Sequence, residues 1–265
     1  MGYGSMKTAI LCNLKEEYFN VSDFNYQHIN PHIERKKALS QFDKFKRALL
    51  NEGVKILEVD ELKVHPNSVF VRDTAVILND RTFIRVNMGL PARKGEEKWM
   101  AKFLKSHGFA EVGAIDSPGT LEGGDVIING NIAFVGISGR TNESGALQIK
   151  SILNRLGYEV RIAKFKGPFL HIGGGMTLIG SHTVLHCSNA FPFDFFKDFD
   201  EIVVNCNDFI GGNVVAISDK KVISLIQNTF LNELLVSKGI DIIPLNLSEF
   251  VKGNGGPSCM VLPAG

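Results

Sequence analysis

One short pattern of strand, turn, strand and helix recurs along this chain of 265 residues and constrains its fold more than any other feature. Two apolar segments flank a tight turn, and a segment with helical periodicity follows them. The turns lie at Asn79-Asp80, Asn129-Gly130, Gly180-Ser181 and Asp219-Lys220. A spacing of roughly 40–50 residues is typical of repeated supersecondary units arranged around an axis. We therefore expect an α/β fold built from such units.

The two ends of the chain supply the unit that completes the set of five. Met6–Cys12 is a short apolar segment of the kind that forms a buried strand. Ser258–Leu262, near the other end, can pair with it. We predict that this pairing closes the five units into a ring.

The remaining elements follow the same reading of periodicity and turn residues. A long polar loop is expected as far as Pro31, and Val54–Val59 is a further short strand. The predicted hairpin strands are Ser68–Leu78, Thr82–Val86, Leu121–Ile128, Ile132–Ile137, His171–Ile179, Thr183–Cys187, Phe209–Ile217 and Val222–Leu225. The predicted helices are Lys36–Leu50, Gly95–Gly108, Glu143–Leu156, Phe193–Phe199 and Asn228–Lys238. No linker divides the chain, so we expect residues 6–265 to form a single domain and interpret residues 1–5 as an expression remnant.

Composition limits the classes of function. The formal net charge is +1, which gives no electrostatic reason to expect a nucleic acid or an anionic membrane as partner. No apolar run is long enough for a membrane span, and the first residues do not show the charged-then-apolar pattern expected of a signal peptide. The four cysteines are scattered, so we predict reduced thiols and a cytoplasmic protein.

Polar residues collect at the beginning of the hairpins, in segments that we call the heads of the units. If the units are arranged radially, all five heads converge on one end of the axis. The fifth head, Gly255-Gly256-Pro257-Ser258-Cys259, holds a thiol behind a stiff turn, which is either a nucleophile or an inert apolar side chain. The ionisable and polar residues of the heads are Asn67, Arg72, Asp73, Glu122, Asp125, His171 and Cys259.

Five motifs on these heads resemble those of the guanidine-modifying enzymes. This family includes dimethylarginine dimethylaminohydrolase, arginine deiminase and the amidinotransferases. The motifs keep the family's order and span residues 67–259. They are Asn67-x-x-Phe70-x-Arg72-Asp73, Leu121-Glu-Gly-Gly-Asp125, Ser138-Gly-Arg-Thr-Asn142, Leu170-His171 and Gly255-Gly-x-x-Cys259.

The resemblance implies a fold and a set of roles. The fold is a five-bladed, pseudo-fivefold α/β propeller (the pentein fold), with ββαβ-type repeats around a central channel. Cys259 is then the nucleophile, and His171 the general acid and base. Asp73 and Glu122 bind the planar guanidinium, since carboxylates match its forked donors. Substrate-binding roles are implied for Phe70 along the substrate stem, Asn67 as a polar contact, and Arg93 and Arg140 on the α-carboxylate. No metal or organic cofactor is required.

The implied reaction is hydrolysis of a guanidine C–N bond in arginine or N-methylated arginine, giving citrulline through a covalent S-amidino intermediate. The compact length is most similar to dimethylarginine dimethylaminohydrolase, although Asn67, Arg72 and Gly256-Pro257 resemble the deiminase version. Gly173 stands where deiminases carry an acid, and the missing acid leaves space for N-methyl groups. The partner is therefore a small guanidino amino acid.

Other functions stay open at this level. An arginine deiminase, and then an amidinotransferase, are the next readings of the same residues. A ribosome-binding factor on the same propeller is the non-enzymatic alternative, and it would not need Cys259, His171 and Glu122 together. A homodimer is an arrangement that the sequence leaves open. His182 and His186 share a strand face next to Cys187, but no second histidine–cysteine pair supports a zinc site, and we reject it.

Overall fold

A computed structural model describes residues 5–29, 32–206 and 211–265. Residues 1–4, which make up most of the predicted expression remnant, lie outside this range. Residues 30–31 and 207–210 also lie outside it, so the first two residues of the predicted strand Phe209–Ile217 are not described. Among the described residues, no helix has the length and apolar character needed to cross a bilayer.

Fifteen strands in the described part of the chain form five small sheets of three strands each. The strands are β1 Thr8–Asn13, β2 Lys55–Asp60, β3 Ala75–Ile77, β4 Thr82–Arg85, β5 Ala110–Ala114, β6 Val126–Asn129, β7 Ile132–Ile137, β8 Glu159–Lys164, β9 Met176–Ile179, β10 Thr183–Cys187, β11 Asp200–Val204, β12 Val215–Ser218, β13 Lys221–Leu225, β14 Asp241–Leu245 and β15 Leu262–Pro263. The sheets have the orders β15-β1-β2, β3-β4-β5, β6-β7-β8, β9-β10-β11 and β12-β13-β14. This pseudo-fivefold α/β arrangement confirms the predicted fold.

Each sheet, or blade, is built in the same way. The middle strand pairs antiparallel with an inner strand and parallel with an outer strand. A parallel connection needs a crossover segment, and a helix supplies it in most blades. The first blade combines both ends of the chain, because Ala9 pairs with Pro263 and Ile10 with Leu262. The predicted closure of the ring by the two termini is therefore confirmed.

The long helices lie where the periodicity predicts them. In the α-helix Arg35–Asn51, the buried face carries Phe42, Phe45 and Leu49. Glycine in the left-handed conformation follows this helix, with Gly53 at a φ of 78°. The α-helices are α1 Phe24–Gln27, α2 Arg35–Asn51, α3 Glu96–Ser106, α4 Glu143–Arg155, α5 Ile172–Gly175, α6 Thr229–Ser237 and α7 Ser248–Val251. Within the predicted polar loop, α1 and a 3₁₀ turn at Glu17–Phe19 give local order that the sequence did not indicate.

The predicted helix Phe193–Phe199 is wrong, because the segment forms consecutive turns. Its backbone bonds span three residues, as from Phe195 N to Pro192 O. The rings of Phe195, Phe196 and Phe199 all contact Phe134, with centroids 5.3–5.8 Å apart. Packing three rings against one aromatic neighbour determines the local backbone here.

Four of the five heads contain short helical turns where the sequence predicted strands, whereas the head before β12 begins outside the described residues. Each turn comes just before an inner strand, so these strands begin several residues later than expected. Apolar residues in a single helical turn have the same appearance in sequence as a strand, which explains the error. The head turns are the 3₁₀ helices Pro66–Val69, Val71–Asp73, Gly123–Asp125 and Pro257–Met260, and the one-turn helix α5.

Two of the four cysteines form a disulfide, so the prediction of four reduced thiols is wrong for them. Cys187 ends β10 and bonds to Cys206, with their Cα atoms 5.4 Å apart. Cys187 pairs with Val204 in the parallel register of β10 and β11, which brings Cys206 next to it. Cys12 and Cys259 are free. His186, which we considered and rejected as a zinc ligand, has its Nε2 2.7 Å from Glu201 Oε2.

Candidate active site

The heads of the blades meet at one end of the axis and surround two adjoining cavities. Five residues line both cavities: Asp73, Leu170, His171, Asn254 and Cys259. The first cavity is completed by His28, Asn67, Phe70, Arg93, Arg140, Gly253 and Gly255. The second is completed by Arg72, Gly124, Gly173, Gly174, Asn213, Gly256 and Ser258. The structure thus brings the sequence-predicted residues together, with Glu122 directly behind His171.

His171 is held between two carboxylates. Its Nε2 lies 2.7 Å from Glu122 Oε2, and its Nδ1 lies 3.6 Å from Asp73 Oδ1. Burial alone would lower the pKa of His171, but the charges of Asp73, Asp125 and Glu122 raise it to about 9. At neutral pH the imidazole therefore carries a proton that it can donate.

Glu122 has all of its acceptor positions facing protein groups. Oε1 accepts hydrogen bonds from the backbone N–H groups of Gly89 and Leu90, at 3.1 and 2.9 Å. Oε2 contacts His171 and also Arg140 Nη1, at 3.4 Å. Burial raises the pKa of Glu122, but the hydrogen bond and charge of His171, with nearby arginines, bring it well below the usual range. Glu122 is thus an ionised support for His171, and it does not line either cavity.

Asp73 lines both cavities, and one of its oxygens lacks a hydrogen bond although it lies 3.6 Å from His171 Nδ1. Its Oδ2 accepts a hydrogen bond from Arg93 Nη1 at 2.5 Å, whereas its buried Oδ1 has no hydrogen-bond partner among the described residues. Gly124 makes this arrangement possible, because a Cβ there would collide with Asp73 Oδ1 and the His171 ring. A buried carboxylate oxygen without a donor is costly unless a ligand supplies one.

Arg93 is fixed mainly by the protein itself. Besides Asp73, it donates to Glu96 Oε2 from Nε and Nη2, at 2.8 and 2.6 Å, and to the carbonyl of Phe70 at 2.9 Å. Burial raises the pKa of Glu96 to about 7, although Arg93 opposes this effect. Most of the donors of Arg93 are therefore engaged. Arg140 makes the longer contact to Glu122 and keeps more of its donors for the first cavity.

Cys259 lies on the 3₁₀ helix Pro257–Met260 at the fifth head. The two preceding glycines give room to its neighbours: a Cβ at Gly255 would overlap the ring of Phe70, and one at Gly256 would overlap the side chain of Asn213. Burial and the charge of Asp73 raise the pKa of the Cys259 thiol, although hydrogen bonds from Gly256 and Asn213 oppose this. An added positive charge near Cys259 would therefore favour its ionisation.

The two remaining predicted substrate contacts form a wall of the first cavity. Phe70 is buried and meets Tyr18 edge to face, with ring centroids 5.9 Å apart. Asn67 donates from Nδ2 to the carbonyl of Gln27 at 2.8 Å, which ties the wall to α1. His28, the residue that follows α1, lines the same cavity.

Sequence reasoning missed Glu96, His28 and Asn213. Glu96 lies at the start of α3, where an acid is ordinary, and His28 lies in the predicted polar loop. A signal for Asn213 was present: Gly211-Gly212-Asn213 repeats Gly123-Gly124-Asp125 from the second blade. The structure places these two segments at equivalent heads.

Asp73, Glu122 and His171 also form the one group of described residues with metal-ligand geometry. One potential ligand atom from each lies within 4.8 Å of the others. The ionised Glu122 and the protonated His171 already satisfy each other, and the free oxygen of Asp73 suits a cationic donor such as a guanidinium equally well.

Comparison with known proteins supports the predicted family and fold. The sequence profile of the family described as "N,N dimethylarginine dimethylhydrolase, eukaryotic" matches residues 16–264. The protein YkgA of Bacillus subtilis, described as uncharacterized, is 31% identical over 98% of this chain and 92% of its own length. The N(G),N(G)-dimethylarginine dimethylaminohydrolase of Pseudomonas aeruginosa is 29% identical over 85% of this chain and 88% of its own.

A solved structure is similar over nearly the whole chain. It is that of the Pseudomonas aeruginosa dimethylarginine dimethylaminohydrolase, as a mutant in complex with citrulline. It superposes with a TM-score of 0.82 at 25% identity, covering 97% of this chain and 99% of the other. The five-bladed architecture is therefore shared as a whole.

Proposed function

Because the chain belongs to the N,N dimethylarginine dimethylhydrolase family, we propose that it hydrolyses a guanidine C–N bond of an N-methylated arginine. The products are citrulline and the methylated amine. The observation that carries the proposal is the free, buried Oδ1 of Asp73, in a cavity that also holds Cys259 and the protonated His171. A planar cation would give this oxygen its missing donor and place its central carbon beside the thiol.

In this proposal the substrate binds through its two ends. Asp73 accepts hydrogen bonds from the guanidinium, and Phe70 packs along the aliphatic stem. Arg140 binds the α-carboxylate, because its donors are less engaged than those of Arg93. Arg93 instead orients Asp73 and balances the charge of its carboxylate.

The cationic substrate brings the positive charge that the Cys259 thiol needs to ionise. The thiol proton passes to solvent, and the thiolate then attacks the guanidine carbon. As the C–N bond breaks, His171 gives its proton to the departing nitrogen. An S-amidino intermediate remains on the sulfur, and His171 is neutral.

Hydrolysis reverses the use of the same groups. Neutral His171 accepts a proton from water as the water oxygen attacks the S-bound carbon. The C–S bond breaks, the sulfur leaves as thiolate, and the carbon keeps the oxygen, which releases its remaining proton to solvent to give the neutral ureido product. Glu122 stabilises the imidazolium at the beginning and at the end of the cycle, since its Oε2 bonds directly to Nε2.

The second cavity supports a methylated substrate over plain arginine. Its wall next to His171 and Cys259 includes Gly124, Gly173 and Gly174, which carry no side-chain donors or acceptors. N-methyl groups cannot donate hydrogen bonds, so a wall without polar side chains suits them. Incubating the protein with dimethylated, monomethylated and unmethylated arginine, with citrulline and amine as readouts, tests this choice. Faster turnover of unmethylated arginine would make the protein a deiminase instead.

The nucleophile is tested with the two free cysteines. Cys259→Ser should lower turnover by at least about 10³-fold while the protein stays folded. Cys12→Ala is the matched control, because Cys12 is free but lies in the hydrophobic core. Turnover that survives in Cys259→Ser, or disappears in Cys12→Ala with the fold intact, contradicts the mechanism. Added glycine separates a hydrolase from an amidinotransferase, since only a transferase forms a new guanidino compound.

A cytoplasmic location and a homodimer stay predictions from the sequence. The non-enzymatic ribosome-binding alternative has no use for an ionisable thiol beside a protonated histidine and a free buried carboxylate oxygen.

A further inference from the structure

The side chain of Asn213 contacts the sulfur of Cys259. Asn213 follows two glycines at the head of the fourth blade and is only 2% exposed. Its Oδ1 accepts a hydrogen bond from the backbone N–H of Ser258 at 2.9 Å, and its Nδ2 lies 3.6 Å from Cys259 Sγ. A backbone N–H can only donate, so Oδ1 must face Ser258 and the NH₂ group must face the sulfur.

The equivalent residue of the second blade is Asp125. Its Oδ1 accepts a hydrogen bond from the backbone N–H of Ile172 at 2.9 Å. Ile172 is the neighbour of His171, as Ser258 is the neighbour of Cys259. Each of the two repeat-related side chains therefore supports the backbone beside a residue of the proposed reaction.

The two side chains differ where the charges of their neighbours differ. Asp125 is an acid near an imidazole that carries positive charge. Asn213 is a neutral donor next to a sulfur that must carry negative charge when it attacks. A carboxylate at position 213 would repel the thiolate, whereas an N–H group stabilises it.

We propose that Asn213 is a further residue of the catalytic site, whose amide donates a hydrogen bond to Cys259 and stabilises its thiolate. The assignment of a catalytic role rests on the proposed function. Gly256 leaves room for the Asn213 amide. A Cβ at this position would lie 2.5–2.7 Å from the amide atoms and push the amide away.

Other titratable and charged groups line the same cavities as Cys259. Asp73 and His171 line both cavities, Arg72 lines the second, and Arg93, Arg140 and His28 line the first. All six are unchanged in variants of Asn213. A change in thiol ionisation between such variants and the wild type therefore reports on the amide.

The test measures thiol reactivity without any guanidine substrate. The rate of alkylation by iodoacetamide is followed by intact mass from pH 6 to 10, with Cys259→Ser as the baseline. Asn213→Ala should slow alkylation at neutral pH by about tenfold or more, as expected for the loss of a hydrogen bond to a charged group. The midpoint of the pH profile should rise accordingly. Asn213→Asp should slow it at least as much, although it keeps the acceptor for Ser258 N–H.

The midpoint of the pH profile separates ionisation from mere support of the turn. If the residue only holds Ser258, Asn213→Ala changes the plateau rate of alkylation but leaves the midpoint at its wild-type pH, and the proposal is overturned. If the alanine variant does not fold, Asn213→Leu, a neutral side chain of similar shape, takes its place in this test. Asn213→Asp adds a repulsive charge of its own, so only an unchanged midpoint in it is decisive, and that result overturns the proposal as well. Asn232→Ala is the control, because Asn232 is a buried asparagine that bonds to Ser224 and the carbonyl of Leu225 instead. An Asn213-dependent profile in a protein that hydrolyses no guanidine would refute the proposed function and leave the hydrogen bond established.

Discussion

Two histidine–glutamate pairs in the described part of the chain have the same Nε2–Oε2 distance of 2.7 Å but opposite surroundings. His171 and Glu122 are both buried where several blades meet. His186 and Glu201 lie on the neighbouring strands β10 and β11, and the side chain of Glu201 is 44% exposed. The contact between the partners is therefore not what makes one of these pairs a candidate for catalysis.

The difference lies in what surrounds each imidazole. His171 has Asp73 at its second nitrogen, a cavity beside it and Cys259 on the same wall. His186 packs on the ring of Phe196, with centroids 4.6 Å apart, and its Nδ1 lies 3.1 Å from the carbonyl of Cys187. Several carboxylates from different blades act on His171 with little water to screen them, while water screens the charge of Glu201. His171 can therefore donate a proton because the blades bring several carboxylates close to it.

The largest expected effect separates the two histidines by activity. His171→Gln should lower kcat by about 10²–10⁴-fold, because it removes both the acid and the base of the proposed reaction. His186→Gln should keep kcat within about twofold, since this ring is away from both cavities. Steady-state citrulline formation is the measurement. A similar loss of activity in both variants would show that the surroundings of His171 do not distinguish it functionally from His186.

The two glutamates should differ in stability. In Glu122→Gln the new NH₂ group must face either the two backbone donors or His171 and Arg140, so donors oppose donors in a buried site. We expect a loss of about 2 kcal/mol in the free energy of unfolding. Glu201→Gln, at an exposed pair, should cost less than about 1 kcal/mol. Urea denaturation of both variants measures these losses. Equal losses in the free energy of unfolding would contradict the prediction.

The pH dependence of kcat/KM sharpens the comparison further. The raised pKa of the Cys259 thiol makes kcat/KM increase from pH 6 towards the alkaline side. Above about pH 9, His171 loses the proton it must donate, and kcat/KM should fall again. A maximum below pH 7 would contradict both assignments. The falling limb should move to lower pH in Glu122→Gln and stay in place in Glu201→Gln.

The last expected effect concerns stability as a function of pH. The pKa of His171 is raised on folding from an ordinary value near 6.5 to about 9. Its stabilising contribution is therefore complete below about pH 6.5 and is lost as the pH rises through about 9. The difference in unfolding free energy between wild type and His171→Gln should shrink by roughly 1–3 kcal/mol over this window. A constant difference between pH 6 and pH 9.5 would show that His171 does not hold a stabilising proton.

The sequence predicted the long helices well and the heads poorly. Arg35–Asn51 and Glu143–Arg155 fall within one residue of the predicted bounds, because a helical apolar period and a following glycine are local signals. The heads are single turns, which are too short to show a period. Phe193–Phe199 was misread because contacts with the distant Phe134 determine its backbone.

The candidate site divides in the same way. Motif order and residue type identified Asp73, His171 and Cys259, because these side chains carry the chemistry themselves. Asn213 was missed although its glycine pair was visible, since an asparagine reveals nothing until the group it contacts is known. The pairing of Cys187 with Cys206 likewise depends on the register of two strands.

By itself, the sequence determined the number of units, the ring that they close and the residue types that meet at its axis. These follow from periodicity, glycine turns and motif order, which are all properties of neighbours along the chain. Only the tertiary structure decided that the pKa of His171 is raised, which oxygen of Asp73 lacks a hydrogen-bond donor and which amide faces the sulfur. Each of these depends on distances between groups from different blades, and electrostatic and hydrogen-bond energies change steeply with distance and burial.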